Sequence, residues 1–506
     1  MTWNFYGREP HLDAMRKLLG GRWFFARIMG RRRIGKTELL KQLANTDPAL
    51  DARLIYMQVP DSDERDVVAT FRQALLDCSP IWIQDIAPSV TNFATMARAI
   101  GKLCENNAVV VLDEFQYFVR QSLYPFNSFL QAEVDQLRNT ACGGLFVLGS
   151  IQTEMTALLA DKAAPLYGRT THQFEVDHWD FEDLLRVFEA QQVSNPQCWL
   201  TLWSFFEGVP KFYRDAYNFD LLQLPADQLG RGLLTQLFLD GSSPLKDEAE
   251  NWFLRKLQGR NVSIVRYLAT SPGCHVGDIA AAVTKDNNSA ELGPYLANLS
   301  MKYKMVEKRL PVFAESNSRS ARYYLTDNFL QACLAVTSPA LNMAKIRPVS
   351  RALDSAMPRL YTHEGYAFEK LIRALHIECS KKGKGDFSVD SLNLGFWNKP
   401  RDTSLNIEID VVALDEEAKK VRFGSCKRSE GAHDGVSLSK FSAQVAAFLG
   451  TKEGKRVAGW KQELAVFSPV FSSEKKAYLQ RSGFLAKDLG DYASYFGHQV
   501  AGQASH

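Results

Sequence analysis

Nowhere in the chain do two cysteines stand in a CxxC pair. The eight that occur, at 78, 104, 142, 198, 274, 333, 379 and 426, are scattered. This argues against a zinc site built on such a pair and against a disulfide framework in a chain of this size. No apolar run reaches the roughly 18–20 residues that cross a bilayer, and the first nine residues lack the apolar core of a signal peptide. A cytoplasmic protein without a membrane partner is the expectation. Net charge is also scarce: 60 Lys and Arg against 57 Asp and Glu leave +3. No whole-chain field therefore demands nucleic acid, although a local basic face can still exist. Internal repeats and low-complexity tracts are absent.

What remains is a globular composition, 46% hydrophobic and 23% charged, in 506 residues. That length exceeds one hydrophobic core and favours roughly three domains. The first part alternates apolar strands, at 23–29, 54–59, 108–112 and 145–148, with helical stretches. Continuous apolar strands of this kind belong to a parallel sheet covered on both faces. From about Phe181 the pattern turns helical, interrupted by Gly208-Val209-Pro210. Helices at 262–270, 276–283 and 292–302, then strands at 306–312 and 321–325, form the winged helix-turn-helix pattern. Pro339, Pro348 and Pro358 mark a linker. A helix at 365–376, strands at 406–414 and 421–427, a helix at 439–449 and a strand at 463–467 follow. The expected spans are 1–180 for the sheet domain, 181–258 for a helical lid, 259–336 for the winged helix, 337–358 for the linker and 359–506 for the last domain.

Gly30-Arg31-Arg32-Arg33-Ile34-Gly35-Lys36-Thr37 matches the Walker A pattern in full, between a predicted strand and a predicted helix. Glycines let backbone N–H groups close around phosphates without side-chain clashes, and the helix beginning near Lys36 points its positive dipole end at them. Lys36 is expected on the β- and γ-phosphates and Thr37 on magnesium. Val109-Val110-Val111-Leu112-Asp113-Glu114 is an apolar strand ending in two carboxylates. Asp113 would hold the cation and Glu114 would polarise water as general base. Ser150, ending the next apolar strand, is a candidate γ-phosphate sensor, with a plain strand-ending serine as the alternative. Arg169 is a candidate for stabilising charge on the γ-phosphate, against an ordinary surface arginine.

Together these residues resemble the archaeal-type ATPases of the STAND branch of AAA+ proteins. Phe5-Tyr6-Gly7-Arg8-Glu9 is similar to that family's N-terminal box near the adenine, which implies a nucleotide-binding role for Arg8. The arginine-rich loop, Leu112-Asp113-Glu114-Phe115-Gln116, Leu166-Tyr167-Gly168-Arg169 and Gly208-Val209-Pro210-Lys211 resemble its further motifs, and Arg322-Tyr323-Tyr324-Leu325-Thr326-Asp327-Asn328-Phe329-Leu330 resembles its segment leaving the second wing strand. The resemblance implies ATP and Mg2+ as cofactors. It also implies an α/β P-loop NTPase fold, with a C-terminal restriction-endonuclease-like domain related to PD-(D/E)XK nucleases.

In that last domain Glu369 lies on a helix, Asp410 on a strand, and Lys427 at the end of the next strand. Glu408 and Asp410 share a strand face, as do Ser425 and Lys427. Two carboxylates and a lysine at a hairpin edge can hold magnesium and activate water against a phosphodiester. The nuclease pattern, however, carries Glu-x-Lys where this chain has Ser425-Cys426-Lys427, and a neutral hydroxyl is a poor ligand for a hard cation. The domain therefore reads as degenerate. Gln444 or Lys440 on the following helix could contact phosphate, but a solvated face is favoured. Lys302, Lys304, Lys308, Arg309, Arg319 and Arg322 give the winged helix a basic surface suited to phosphate contacts. Packing on the nucleotide domain as a switch element is the competing use. The leading expectation is an ATP-hydrolysing molecular switch with a nuclease-like effector, possessing a protein partner or self-associating. The alternatives are an ATP-controlled, magnesium-dependent DNA nuclease and an ATP-liganded DNA-binding regulator.

Overall fold

The computed structural model describes residues 2–138, 142–240, 242, 243, 245–255, 257–315, 318, 320–390, 394–398 and 406–498. These residues divide into two compact units. One holds 4–178 and 209–211, the other 2–3, 179–208 and 212–498.

The first unit is built on five parallel strands: β1 (Phe24–Met29), β2 (Leu54–Gln58), β3 (Val109–Asp113), β4 (Gly144–Gly149) and β5 (His172–Glu175). Their order is β2-β3-β4-β1-β5. The middle strands β3 and β4 are buried along their whole length, as their unbroken apolar runs require in a sheet covered on both faces. Helices Glu64–Leu76, Phe93–Glu105 and Pro125–Leu137 cover one face. Their Phe71, Phe93, Ile100 and Phe126 join Val110 and Leu112 of β3 in one core, each such side chain contributing about 1.5–3 kcal/mol by its burial. Phe93–Glu105 starts from a reciprocal capping pair, Asn92 with Thr95. This arrangement brings the carboxyl ends of β1, β3 and β4 side by side. The expected α/β class with a parallel sheet holds. The short strand β5 is an addition to the expected set.

The second unit begins with helices Phe181–Ala190, Pro196–Phe206 and Ala226–Leu234. Helices Arg260–Thr270, Val276–Val283 and Gly293–Ala297 come next, the last continuing into Asn298–Lys302. They lead into an antiparallel pair, β6 (Val306–Arg309) and β7 (Arg322–Leu325). A mixed sheet follows: β8 (Leu394–Trp397), β9 (Glu408–Asp415), β10 (Lys420–Cys426), β11 (Lys461–Phe467) and β12 (Leu485–Lys487). β8, β9 and β10 are antiparallel neighbours; β10, β11 and β12 run parallel. Helix Gly435–Gly450 packs Leu438, Phe441, Val445 and Phe448 on this sheet.

The stretch 337–358 differs from its expected reading as a linker. It is helical, in Ser338–Ala344 and in the first third of a single helix, Val349–Lys381, that also contains the expected 365–376 segment. The prolines explain the misreading. Pro339 and Pro348 sit in the first turn and at the N-cap, where a missing N–H costs nothing. Pro358 alone lies inside a helix.

Candidate functional site

The loop after β1 is shaped by close approach and by backbone sign. A Cβ on Gly30 would lie 2.4 Å from the Val176 carbonyl oxygen, so only glycine fits there. Gly35 has φ +91° and caps helix Lys36–Asn45 without any side-chain cap, leaving the first-turn N–H groups pointed at the loop interior. Arg33 is also left-handed, at φ +68°. Lys36 is buried and reaches back across the loop, its Nζ donating to the carbonyls of Gly30 at 2.9 Å and Arg31 at 3.2 Å. Burial lowers its pKa, opposed by the charges of Asp113 and Glu114.

Thr37, Asp113 and Tyr56 converge. Asp113 Oδ2 accepts from Thr37 Oγ1 at 2.7 Å and from the Tyr56 hydroxyl at 2.7 Å, while Oδ1 accepts from the Glu114 N–H at 2.8 Å. Burial, then the Asp113 charge, raises the Tyr56 pKa, keeping the phenol a donor. Glu114 follows in a left-handed conformation, φ +56°, which turns its carboxylate toward β4. There Glu114 Oε2 accepts from Gln116 Nε2 and lies 3.4 Å from Ser150 Oγ, while the Ser150 N–H donates to Gln116 Oε1 at 3.3 Å. Gln116, almost fully buried, thus joins the two residues singled out as base and sensor.

The structure brings Gly30, Gly35, Lys36, Thr37, Asp113, Glu114 and Ser150 into one place at the carboxyl edge of the sheet. Arg8, buried at the start of helix Glu9–Leu19, donates to the Asp177 carbonyl. Arg169 is engaged elsewhere. It makes a two-pronged pair with Asp135, Nε to Oδ1 at 2.9 Å and Nη2 to Oδ2 at 2.8 Å, and also donates to the carbonyls of Pro165 and Tyr167. Tyr56 and Gln116 are the residues that sequence reasoning gave no role. Tyr56 has no local signal, since only the β2–β3 register places it beside Asp113.

In the second unit Glu369, Asp410 and Lys427 are electrostatic neighbours. Burial and the Asp410 charge raise the Glu369 pKa, against Arg373 and Lys427. Burial likewise raises that of Asp410, whose Oδ2 accepts from the Cys426 N–H at 2.7 Å. Glu408 pairs with Arg322, Oε1 to Nη1 at 2.7 Å, while its charge still acts on Glu369 and Asp410, and the Arg322 guanidinium also covers the Trp397 ring at 4.8 Å. Among the described residues no three His, Cys, Asp or Glu side chains are grouped to hold a metal ion.

The basic surface divides. Lys302, Lys304 and Lys308 are exposed. Arg309 is committed to Glu307 and to the Tyr324 ring, and Arg322 to Glu408. Arg319 lies outside the described residues. Gln444 is buried rather than solvated, donating to the Asn406 carbonyl at 3.0 Å, whereas Lys440 is exposed. No helix among the described residues is long and apolar enough to cross a membrane.

Residues 5–212 match a family described as an ATPase domain predominantly from Archaea, and residues 335–441 match a family of archaeal and bacterial proteins of unknown function. An uncharacterized protein of Methanocaldococcus jannaschii is 25% identical over 429 residues, 84% of this chain and 87% of that one. Among solved structures, the Walker-type ATPase PABY2304 of Pyrococcus abyssi has a TM-score of 0.45 at 16% identity, covering 66% of this chain and 96% of its own. The ORC2 protein of Aeropyrum pernix, in ADPNP-ADP complexes, has a TM-score of 0.45 at 14% identity, covering 70% and 96%. Residues 5–212 are thus similar to an ATPase domain predominantly from Archaea, ahead of a segment similar to a family of unknown function.

Proposed function

We propose that the chain is an ATP-hydrolysing molecular switch of the STAND/AAA+ type. The observation that carries this reading is the meeting of Thr37 and Asp113 at 2.7 Å beneath a loop whose Gly30 and Gly35 admit no other residue type without a clash or strain. Two hard oxygen donors at the foot of a phosphate loop suit magnesium, which would supply charge neutralisation at the phosphates when bound. Lys36 would exchange the carbonyls of Gly30 and Arg31 for phosphate oxygens. Glu114 takes the proton of the attacking water, and Ser150, linked to it through Gln116, reports on the γ-phosphate.

In this reading 181–258 serves as lid, 259–336 as a winged helix and 359–506 as a PD-(D/E)XK-like effector without its third acidic ligand. Arg169, paired with Asp135, would have to leave that carboxylate to act on a phosphate. Replacing Glu114 by Gln tests the assignment. ATP affinity should persist while hydrolysis falls by on the order of 100-fold or more. Unchanged hydrolysis would remove Glu114 from the role of base, and loss of binding as well would show a structural role.

A second reading, an ATP-controlled DNA nuclease, draws on the proximity of Glu369, Asp410 and Lys427. Ser425 and the Arg322–Glu408 pair weigh against it. Magnesium-dependent DNA cutting that disappears in Asp410→Ala would establish it; no cutting in any nucleotide state would end it.

A further inference from the structure

We infer that Tyr56 is a positioning residue for the cation that accompanies the nucleotide, holding Asp113 in the orientation that meets Thr37. This rests on the nucleotide-binding reading of the loop.

Gln58 pairs with Asp113 and Tyr56 with Val111. Side chains two residues apart share a face, so Tyr56 and Asp113 are diagonal neighbours on one side of the sheet. An aromatic side chain is long enough to cross that diagonal. Tyrosine spans it, and its hydroxyl ends 2.7 Å from Asp113 Oδ2. Ile55 and Met57, on the opposite face, are buried in the core, so β2 itself is anchored.

Asp113 Oδ2 therefore receives one donor from the loop helix, Thr37, and one from the sheet, Tyr56. A Thr37 hydroxyl that ligated magnesium would use an oxygen lone pair and keep its O–H for the carboxylate. Thr37, Tyr56 and the Glu114 N–H would then together fix both oxygens of Asp113. A ligating or water-contacting carboxylate held in this way loses less freedom on binding, and such supporting partners commonly carry 10–100-fold in metal affinity. The Tyr56 hydroxyl meets Asp113 and Thr37, the two side chains that would hold the cation, so its effect should appear in the magnesium dependence.

The test is a calorimetric titration of ADP into wild type and Tyr56→Phe, full chain, across a magnesium series and in excess chelator. The phenylalanine ring preserves the packing and removes only the hydroxyl. Tyr56→Phe should raise the magnesium concentration for half-maximal affinity by on the order of 10-fold. Its chelator-only ADP affinity and its thermal midpoint should match wild type. An unchanged magnesium dependence overturns the inference while leaving the loop's role intact. An equal loss of affinity with and without magnesium also overturns it, assigning Tyr56 to packing. Wild type that binds no ADP at any magnesium concentration overturns the nucleotide-binding reading itself.

Discussion

A carboxylate offers about four lone-pair directions, and Asp113 spends three of them on Thr37, Tyr56 and the Glu114 N–H. Three such bonds keep a buried carboxylate in one orientation and leave one direction open, and the same economy is visible at Gly30. Its missing side chain is where the Val176 carbonyl sits, 2.4 Å from an imagined Cβ. Gly30→Ala must displace either the loop or the segment after β5. It should destabilise the protein by about 1–3 kcal/mol, the usual range for overpacking, and weaken nucleotide binding, measured by denaturant midpoint and by titration. Gly35→Ala faces a different obstacle, its φ of +91°, and should cost about 1–2 kcal/mol for the left-handed backbone.

Among the elements, β10 carries the clearest energetic commitment. Arg422, in the middle of that strand, is only 1% exposed, yet it carries a charge held between Asp386 and Glu463 and stacked over Phe387. Arg422→Leu leaves two carboxylates facing an apolar side chain. Because both retain some solvent, the loss should fall toward the low end of the ~3–5 kcal/mol seen when one partner of a buried pair is removed, read from chemical denaturation at neutral pH. Burial opposes ionisation of Asp386, but Arg422 and Lys487 more than offset it and hold its carboxyl below the usual range. A depressed folded pKa contributes stability above the unfolded value, near 3.8, and loses it as pH falls through the folded one. The penalty of Arg422→Leu should therefore shrink on acidification below about pH 4.

The elements also show what could be read in advance. β1, β3 and β4 announce themselves because they are long apolar runs, and the loop residues because they are contiguous. β5, β8 and β12 have only three or four residues each, too few to show a period, and β5 buries only Phe174. The helix Val349–Lys381 was masked by prolines that mark its start as readily as a break. Tyr56 and Gln116 escaped for a different reason. Their roles depend on strand pairing and on the turn after β3, which bring residues from separate strands together. The Asp135 partner of Arg169 is equally invisible, since it comes from a helix 34 residues earlier in the chain.

Across the whole molecule, three imidazoles, His363, His376 and His433, are buried in the second unit, and burial pulls each pKa from 6.5 to about 4. They fold neutral. Below about pH 6.5 the unfolded chain takes up protons that the folded one refuses, so stability falls as pH drops toward 4. The slope is up to about 1.4 kcal/mol per pH unit for each histidine. Hydrogen exchange followed from pH 7 to 4.5 should show protection lost in 349–381 and the β8–β12 sheet, and His376→Gln should flatten part of that dependence. A protection pattern independent of pH over that interval would contradict the burial of these rings in neutral form.

All of the functional reading depends on a triphosphate seated in the loop ahead of Lys36, and equilibrium dialysis with labelled ATP and magnesium tests this most directly. Wild type should bind saturably, and Lys36→Ala should lose that binding while keeping its circular dichroism spectrum. Absence of saturable binding in the wild type, or undiminished binding in Lys36→Ala, would contradict it.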